Sequence, residues 1–152
     1  MHIGDYHDLP FGAASFDRVW FLEAIGYADD PARVFAEVFR VLRRGGSVYI
    51  KDVFRRGGAL AAAERLELAE FDRVYVQRTP AAEDTTAALR RAGFSDVEVT
   101  DLSERISMEA FNQAMRRGPQ LHPAELSAFG RYHYRSFKCL PVSFVELRAT
   151  KR

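Results

Sequence analysis

Residues 30–53 constrain the fold more than any other stretch of the chain. Asp30 can cap a helix, and Pro31 suits its first position, where the missing N–H is not needed. Val34, Phe35, Val38, Val41 and Leu42 then recur at helical spacing, which predicts one apolar face over Pro31–Arg44. Arg40, Arg43 and Arg44 crowd the C-terminal end, where the helix dipole favours cations, and Gly45-Gly46 closes it. Ser47–Val53 reads as the strand that follows. Upstream, Phe16–Leu22 has the aromatic and β-branched content of a short buried strand. A strand, a helix and a strand in this order imply an α/β fold with a largely parallel sheet.

The rest of the chain continues the alternation. Ala59–Tyr75 reads as a helix. Thr79 can cap another, opened by Pro80 and ended by Gly93. Val97–Leu102 is a third strand, Ser107–Met115 and Pro123–Phe137 are helices, and Val142–Thr150 alternates as a last strand. The 152 residues suit one domain, residues 1–152. A net charge of +1 gives no basic excess for nucleic-acid binding. No apolar run approaches the ~18 residues of a membrane span, and Met1–Gly12 does not read as a secretory leader, so a cytoplasmic setting is expected. Cys139 is the single cysteine; it has no internal disulfide partner and reads as a small, semi-buried hydrophobe.

In open α/β sheets, ligands sit beyond the C-terminal ends of the strands. The segment after Phe16–Leu22 holds Glu23 and Tyr27 around the flexible Gly26. Glu23 could steady a developing positive charge or accept a proton; it could equally cap a turn or meet an arginine. Near the N-terminus, Asp5 could hydrogen-bond an exocyclic amine and Tyr6 could stack on a ring, against the competing reading of an ordinary turn. His133, between Tyr132 and Tyr134 and flanked by Arg131 and Arg135, could line a pocket or belong to a mixed helix face. His2, His7 and His122 form no ligand pattern. The Arg55-Arg56-Gly57-Gly58 turn could touch phosphate or stand in solvent. No nucleophile elbow, phosphate-binding loop or metalloprotease helix is present.

Several spaced segments together resemble a known family. Gly4-Asp5-Tyr6-His7-Asp8-Leu9-Pro10-Phe11 precedes Ser15-Phe16-Asp17-Arg18-Val19, and Glu37-Val38-Phe39-Arg40-Val41-Leu42-Arg43-Arg44-Gly45-Gly46 follows. The run resembles the middle of a class I S-adenosylmethionine-dependent methyltransferase, in the group sharing GD-x-x-x-LPF, SFD-x-V and E-x-x-RVL-x-x-GG. Arg91-Ala92-Gly93-Phe94 and Val97-Glu98-Val99 resemble a later helix and strand of that family. Within it, Trp20–Ala24 and Tyr27-Ala28-Asp29 look most like sterol and small-terpene C-methyltransferases. The resemblance implies that Glu23 handles cationic charge or takes a proton, with Tyr27 lining the same pocket. It likewise implies that Asp5 meets the adenine amino group of S-adenosylmethionine, that Tyr6 neighbours the adenine ring, and that the Leu22 backbone carbonyl faces the methionine end.

The chain departs from the family pattern at its start, since no G-x-G-x-x-G precedes Gly4. The resemblance therefore implies a Rossmann-like sheet, N-terminally truncated, of about four strands with the last antiparallel. It also implies weak or absent binding of S-adenosylmethionine by this chain alone. The expected activity is methyl transfer to a small apolar acceptor by a truncated or split enzyme. The rival readings are a non-catalytic scaffolding subunit of a methyltransferase, and a cofactor-independent cyclase or isomerase. Phe16–Leu22 is then expected to be a sheet edge that seeks a partner, either a second copy of the chain or a complementary N-terminal methyltransferase half.

Overall fold

The computed structural model describes residues 4–105 and 139–152. The helices expected over Ser107–Met115 and Pro123–Phe137, the His133 cluster, His122 and His2 lie outside the described residues. The element order is β1 (Phe16–Leu22), a 3₁₀ turn (Ile25–Tyr27), α1 (Pro31–Val41), β2 (Leu42–Arg55), α2 (Ala62–Tyr75), α3 (Ala82–Arg91), β3 (Ser95–Asp101) and β4 (Val142–Thr150). The four strands form one sheet in the order β1-β2-β4-β3. β1 runs parallel to β2, and β4 runs antiparallel to both β2 and β3. Three strands thus share one direction and the last opposes them, as expected from the sequence.

The sheet has two unlike faces because strand side chains alternate. On one face Val19, Phe21, Val48, Ile50, Phe54, Val145, Leu147 and Ala149 pack against α1 and α3. Val34, Phe35, Val38 and Val41 of α1 are all fully buried. Each such side chain contributes about 1.5–3 kcal/mol of apolar transfer, so this face carries most of the core. On the other face, Val53 and Phe144 meet Phe71 of α2. The remainder of that second face is an open groove of about 610 Å³, lined among others by Arg18, Trp20, Leu22, Tyr49 and Arg148.

Several boundaries differ from the sequence reading: β2 spans Leu42–Arg55 where Ser47–Val53 was expected, β3 spans Ser95–Asp101 where Val97–Leu102 was expected, and the ends of α1, α2 and α3 also move. α1 stops at Val41 and not at Arg44, because Leu42 is already extended. Lys151, from the far end of the chain, donates its Nζ to the carbonyls of Phe39 (2.6 Å) and Leu42 (2.7 Å). It thereby satisfies carbonyls the helix end leaves open. Gly46 then approaches other backbone closely: a Cβ there would stand 2.9 Å from the Arg43 carbonyl oxygen and 3.0 Å from that of Asp17. Only glycine fits that crossing. Thr79 does not cap α3, whose N-cap is Ala81. Its N–H and hydroxyl both donate to Asp72 Oδ1 at the end of α2. α2 begins at Ala62, where the Glu64 carboxylate accepts from the Ala61 N–H at 2.8 Å. Cys139 is exposed and not semi-buried; its backbone N–H donates to Glu67 Oε2 at 2.8 Å.

Candidate functional site

The C-terminal ends of β1 and β2 lie side by side, with Leu22 opposite Lys51. β1 ends in an abrupt turn at Glu23, which adopts a left-handed φ of 52°. A non-glycine residue held there costs of order 1 kcal/mol, so surrounding contacts must hold it. The Glu23 N–H donates to the Lys51 carbonyl at 2.8 Å, and Lys51 Nζ donates to Glu23 Oε1 at 3.2 Å. The Glu23 side chain stays 64% exposed, so its carboxylate is presented outward at the sheet's C-terminal edge. Its partner is a lysine, where the sequence alone allowed a cap or an arginine.

Tyr27 closes the 3₁₀ turn with its side chain toward solvent. Among the described residues no hydrogen bond joins it to Glu23. Gly26 within the turn is buried, and its carbonyl accepts from the Arg78 N–H at 2.8 Å. This packs the turn against the chain leaving α2. The Leu22 side chain is exposed. Its backbone direction follows from the ladder. Because Glu23 pairs inward to β2, alternation turns Phe21 and Val19 inward as well. The amides and carbonyls of Arg18, Trp20 and Leu22 consequently face the edge of β1 that pairs with no strand among the described residues.

A second group comes from the N-terminal segment. Asp5–Asp8 form a turn closed by the Asp8 N–H on the Asp5 carbonyl at 3.1 Å. Asp5 Oδ1 accepts from the His7 backbone N–H (2.8 Å) and lies 2.7 Å from His7 Nδ1. His7 Nε2 in turn accepts from the Asp30 N–H at 3.3 Å, which assigns the His7 proton to Nδ1 and makes it the donor to Asp5. The His7 backbone and ring hydrogen bonds hold the Asp5 carboxyl below its ordinary value. Tyr6 packs edge-on to Phe21, with ring centroids 6.2 Å apart, and tilts against the His7 ring. Partial burial pushes its phenol above the usual range, with Asp29 and Asp5 adding to the effect.

The segment is clamped from α1. Arg40 donates to the carbonyls of Phe11 (2.8 Å) and Leu9 (3.1 Å), and Glu37 Oε2 accepts from the Leu9 N–H at 3.1 Å. Arg40 and Glu37 are themselves paired at 2.7 Å. Composition and dipole arguments assign Arg40 to the helix end; the structure shows it fixing the loop that carries Asp5. The sequence reading also passes over Asp52. This carboxylate is 5% exposed and accepts from the Ile25 N–H at 2.9 Å and the Val53 N–H at 2.7 Å. Burial pushes it above the ordinary aspartate range, against the pull of those amides. The one signal was an acid at the alternate position that continues the apolar face of Val48 and Ile50. Arg56 pairs with Glu64, while Arg55 lines a cavity of about 410 Å³ between the N-terminal ends of α1 and α3. No group of three or more metal-ligating side chains occurs among the described residues.

Residues 1–50 match the family model described as a methyltransferase domain. The O-methyltransferase rstn1 of Aspergillus nomiae is 33% identical over 104 residues, which is 68% of this chain and 45% of that protein. The solved structure of a geranyl diphosphate methyltransferase in complex with SAM superposes with a TM-score of 0.74 at 15% identity, covering 99% of this chain and 57% of that one. These matches make the chain similar to the class I S-adenosylmethionine-dependent methyltransferases, with the family model matched over its first 50 residues. Its sheet is that of the Rossmann-like methyltransferases. The structure of the [4+2]-cyclase SpnF shares the fold at a TM-score of 0.71, with 23% identity and coverage of 99% of this chain and 56% of that one. The chain spans about half the length of the curated relatives it matches. Among the described residues, no helix is long and apolar enough to cross a membrane.

Proposed function

We propose that this chain forms the acceptor-side part of a methyltransferase acting on a small molecule, with Glu23 as its reacting carboxylate. The observation that carries the reading is the outward presentation of Glu23 at the tip of β1, beside the strand edge onto which the Leu22 carbonyl opens. S-adenosylmethionine, when bound, supplies an electrophilic methyl group on a sulfonium. Its fit is supported by two features of this chain. The Asp5 carboxylate is exposed, held ionised by His7, and suits an amine donor such as the exocyclic amine of adenine. The Leu22 carbonyl presents a partial negative charge where a cationic methionine end would lie.

In this reading Asp5 binds and orients the adenine amine, with Tyr6 beside the ring and buttressed on Phe21. Glu23 balances positive charge on the acceptor or takes the proton the acceptor loses. Lys51, at 3.2 Å, holds that carboxylate in place. Tyr27 stands at the rim of the same pocket. The rest of the rate enhancement comes from orientation of acceptor and methyl group. The acceptor is proposed to be small and apolar, and the setting cytoplasmic. The Gly-rich cofactor lobe is proposed to dock on the β1 edge, where Arg18, Trp20 and Leu22 offer backbone groups and an exposed apolar stripe. That lobe is a complementary methyltransferase half or a region contributed within an oligomer.

The test is transfer of a radiolabelled methyl group from S-adenosylmethionine to a panel of phenols, amines and prenyl compounds. The chain is assayed alone, and joined to the part of rstn1 that lies outside the matched region. The joined protein should label at least one acceptor, and Glu23→Gln should lower turnover by about 10²-fold or more. A folded, cofactor-binding fusion in which Glu23→Gln labels the same acceptor as fast as the unmodified protein would remove Glu23 from the mechanism.

A further inference from the structure

Among the described residues, the buried Asp52 carboxylate has no ion-pair partner. Its neighbours are backbone amides: the N–H groups of Ile25 and Val53 at 2.9 and 2.7 Å, with the Ala24 N–H adding to the favourable field. Ala24 and Ile25 immediately follow Glu23, whose φ is left-handed. Successive N–H groups after such a residue converge to form a small anion-binding concavity. Here the anion is supplied by the protein itself, from the next strand. Asp52 therefore does for the 3₁₀ turn Ile25–Tyr27 what an N-cap does for a helix, since that turn has no side-chain cap of its own.

The neighbouring strand positions divide the labour. Lys51 faces the second side of the sheet and holds the Glu23 carboxylate. Asp52 faces the first side and holds the peptide units that follow Glu23. One pins the side chain and the other pins the backbone on which it is mounted. A buried carboxylate is a costly means of holding a turn unless the turn must be held in a conformation it would otherwise leave.

We propose that Asp52 is the positioning residue of the site: by capping the turn after β1, it fixes the left-handed Glu23 backbone and thereby aims the Glu23 carboxylate. The proposal rests on the reading of Glu23 as the reacting group, but its test does not depend on turnover. Nuclear magnetic resonance of the full chain reads three quantities in wild type, Asp52→Ala and Asp52→Asn. These are amide exchange at Ala24 and Ile25, the nuclear Overhauser contact between the Glu23 and Lys51 side chains, and amide exchange across β2 and β4 as a measure of overall folding.

In Asp52→Ala, exchange at Ile25 should accelerate by about tenfold or more relative to the β2–β4 amides. The nuclear Overhauser contact between the Glu23 and Lys51 side chains should weaken as the carboxylate leaves Lys51. Asp52→Asn keeps one acceptor oxygen and should restore most of the Ile25 protection. If Asp52→Ala does not fold, Asp52→Asn carries the test through the smaller acceleration at Ala24 and Ile25 that follows from loss of one acceptor oxygen, at unchanged β2–β4 protection. A folded Asp52→Ala with Ile25 protection and the Glu23–Lys51 contact both unchanged, or a folded Asp52→Asn with Ala24 and Ile25 exchange unchanged, would overturn the proposal. Acceleration spread evenly over the sheet would overturn it too, since that is what a merely structural residue gives. Absence of methyl transfer in every form would count against the proposed function and leave these three readings intact.

Discussion

Replacing Phe21 with alanine should cost this chain more than any single change on the surface of the site. Phe21 sits at the inner face of β1, 6% exposed, between the Phe35 ring of α1 and the Tyr6 ring of the N-terminal segment. Both contacts are edge-on, at 6.4 and 6.2 Å between centroids. Truncating a buried phenylalanine costs about 3–5 kcal/mol. The edge-to-face pair with fully buried Phe35 belongs at the upper end of about 0.5–1.5 kcal/mol, and the pair with half-buried Tyr6 at the lower end. These pair energies are part of the truncation cost, so the expected loss is about 4 kcal/mol. Phe21→Leu, which keeps most of the volume, should lose about 1–2 kcal/mol. Urea unfolding followed by far-UV circular dichroism measures both, provided the slope with denaturant is unchanged. The Tyr6 segment should also lose amide protection in Phe21→Ala before the sheet does. A loss below about 1.5 kcal/mol for Phe21→Ala would refute the claim that β1, α1 and the Asp5 loop share one core.

Two further outcomes follow from the same geometry. If the β1 edge is the docking surface, Trp20→Pro should abolish association in sedimentation and leave the β1–β2 ladder folded, because Trp20 directs its N–H outward. Val19→Pro should instead break β1 from β2, since Val19 pairs inward with Val48; association that survives Trp20→Pro argues for another surface. Asp52 makes a pH prediction. Its carboxyl is raised above the ordinary value of 3.8, so the folded chain binds its proton more readily than the unfolded chain. Its contribution to stability is full below 3.8 and is lost as pH rises through the folded value. The stability of Asp52→Asn relative to wild type should therefore climb between pH 3.8 and the folded value and level off above it, and a difference that stays flat or falls across that window would contradict the assignment.

Much of the frame was legible because local signals and tertiary packing agree. β1 has the bounds its aromatic and β-branched content predicts, β4 has those its alternation predicts, and the cap at Asp30 with Pro31 starts α1 where expected. The failures share a cause. Local signals carry α1 on through Arg44, but Lys151, over a hundred residues away, captures its last carbonyls. Thr79 and Pro80 carry start signals, yet Asp72 takes the threonine and the Arg55 N–H takes the Pro80 carbonyl at 2.7 Å. The site divides the same way. Glu23 and Asp5 were visible as carboxylates at strand ends and in a motif. Their holders were not: Lys51 and Asp52 meet Glu23 and its turn through strand register, which is a property of the sheet, and His7 meets Asp5 only once the Asp5–Asp8 turn has formed.

The central proposal is that a Gly-rich cofactor lobe outside these 152 residues completes the site. Calorimetry with S-adenosylmethionine tests it, first on residues 1–152 and then on those residues joined to the part of rstn1 outside the matched region. No saturable heat is expected with residues 1–152 alone, because no G-x-G-x-x-G precedes Gly4 in them and such a loop binds the ligand through backbone N–H groups at a helix N-terminus. One-to-one binding is expected in the joined protein, weakened at least about tenfold by Asp5→Ala through loss of a charge-assisted hydrogen bond. Tight, stoichiometric binding by the chain alone would contradict it, as would a folded fusion that binds no S-adenosylmethionine.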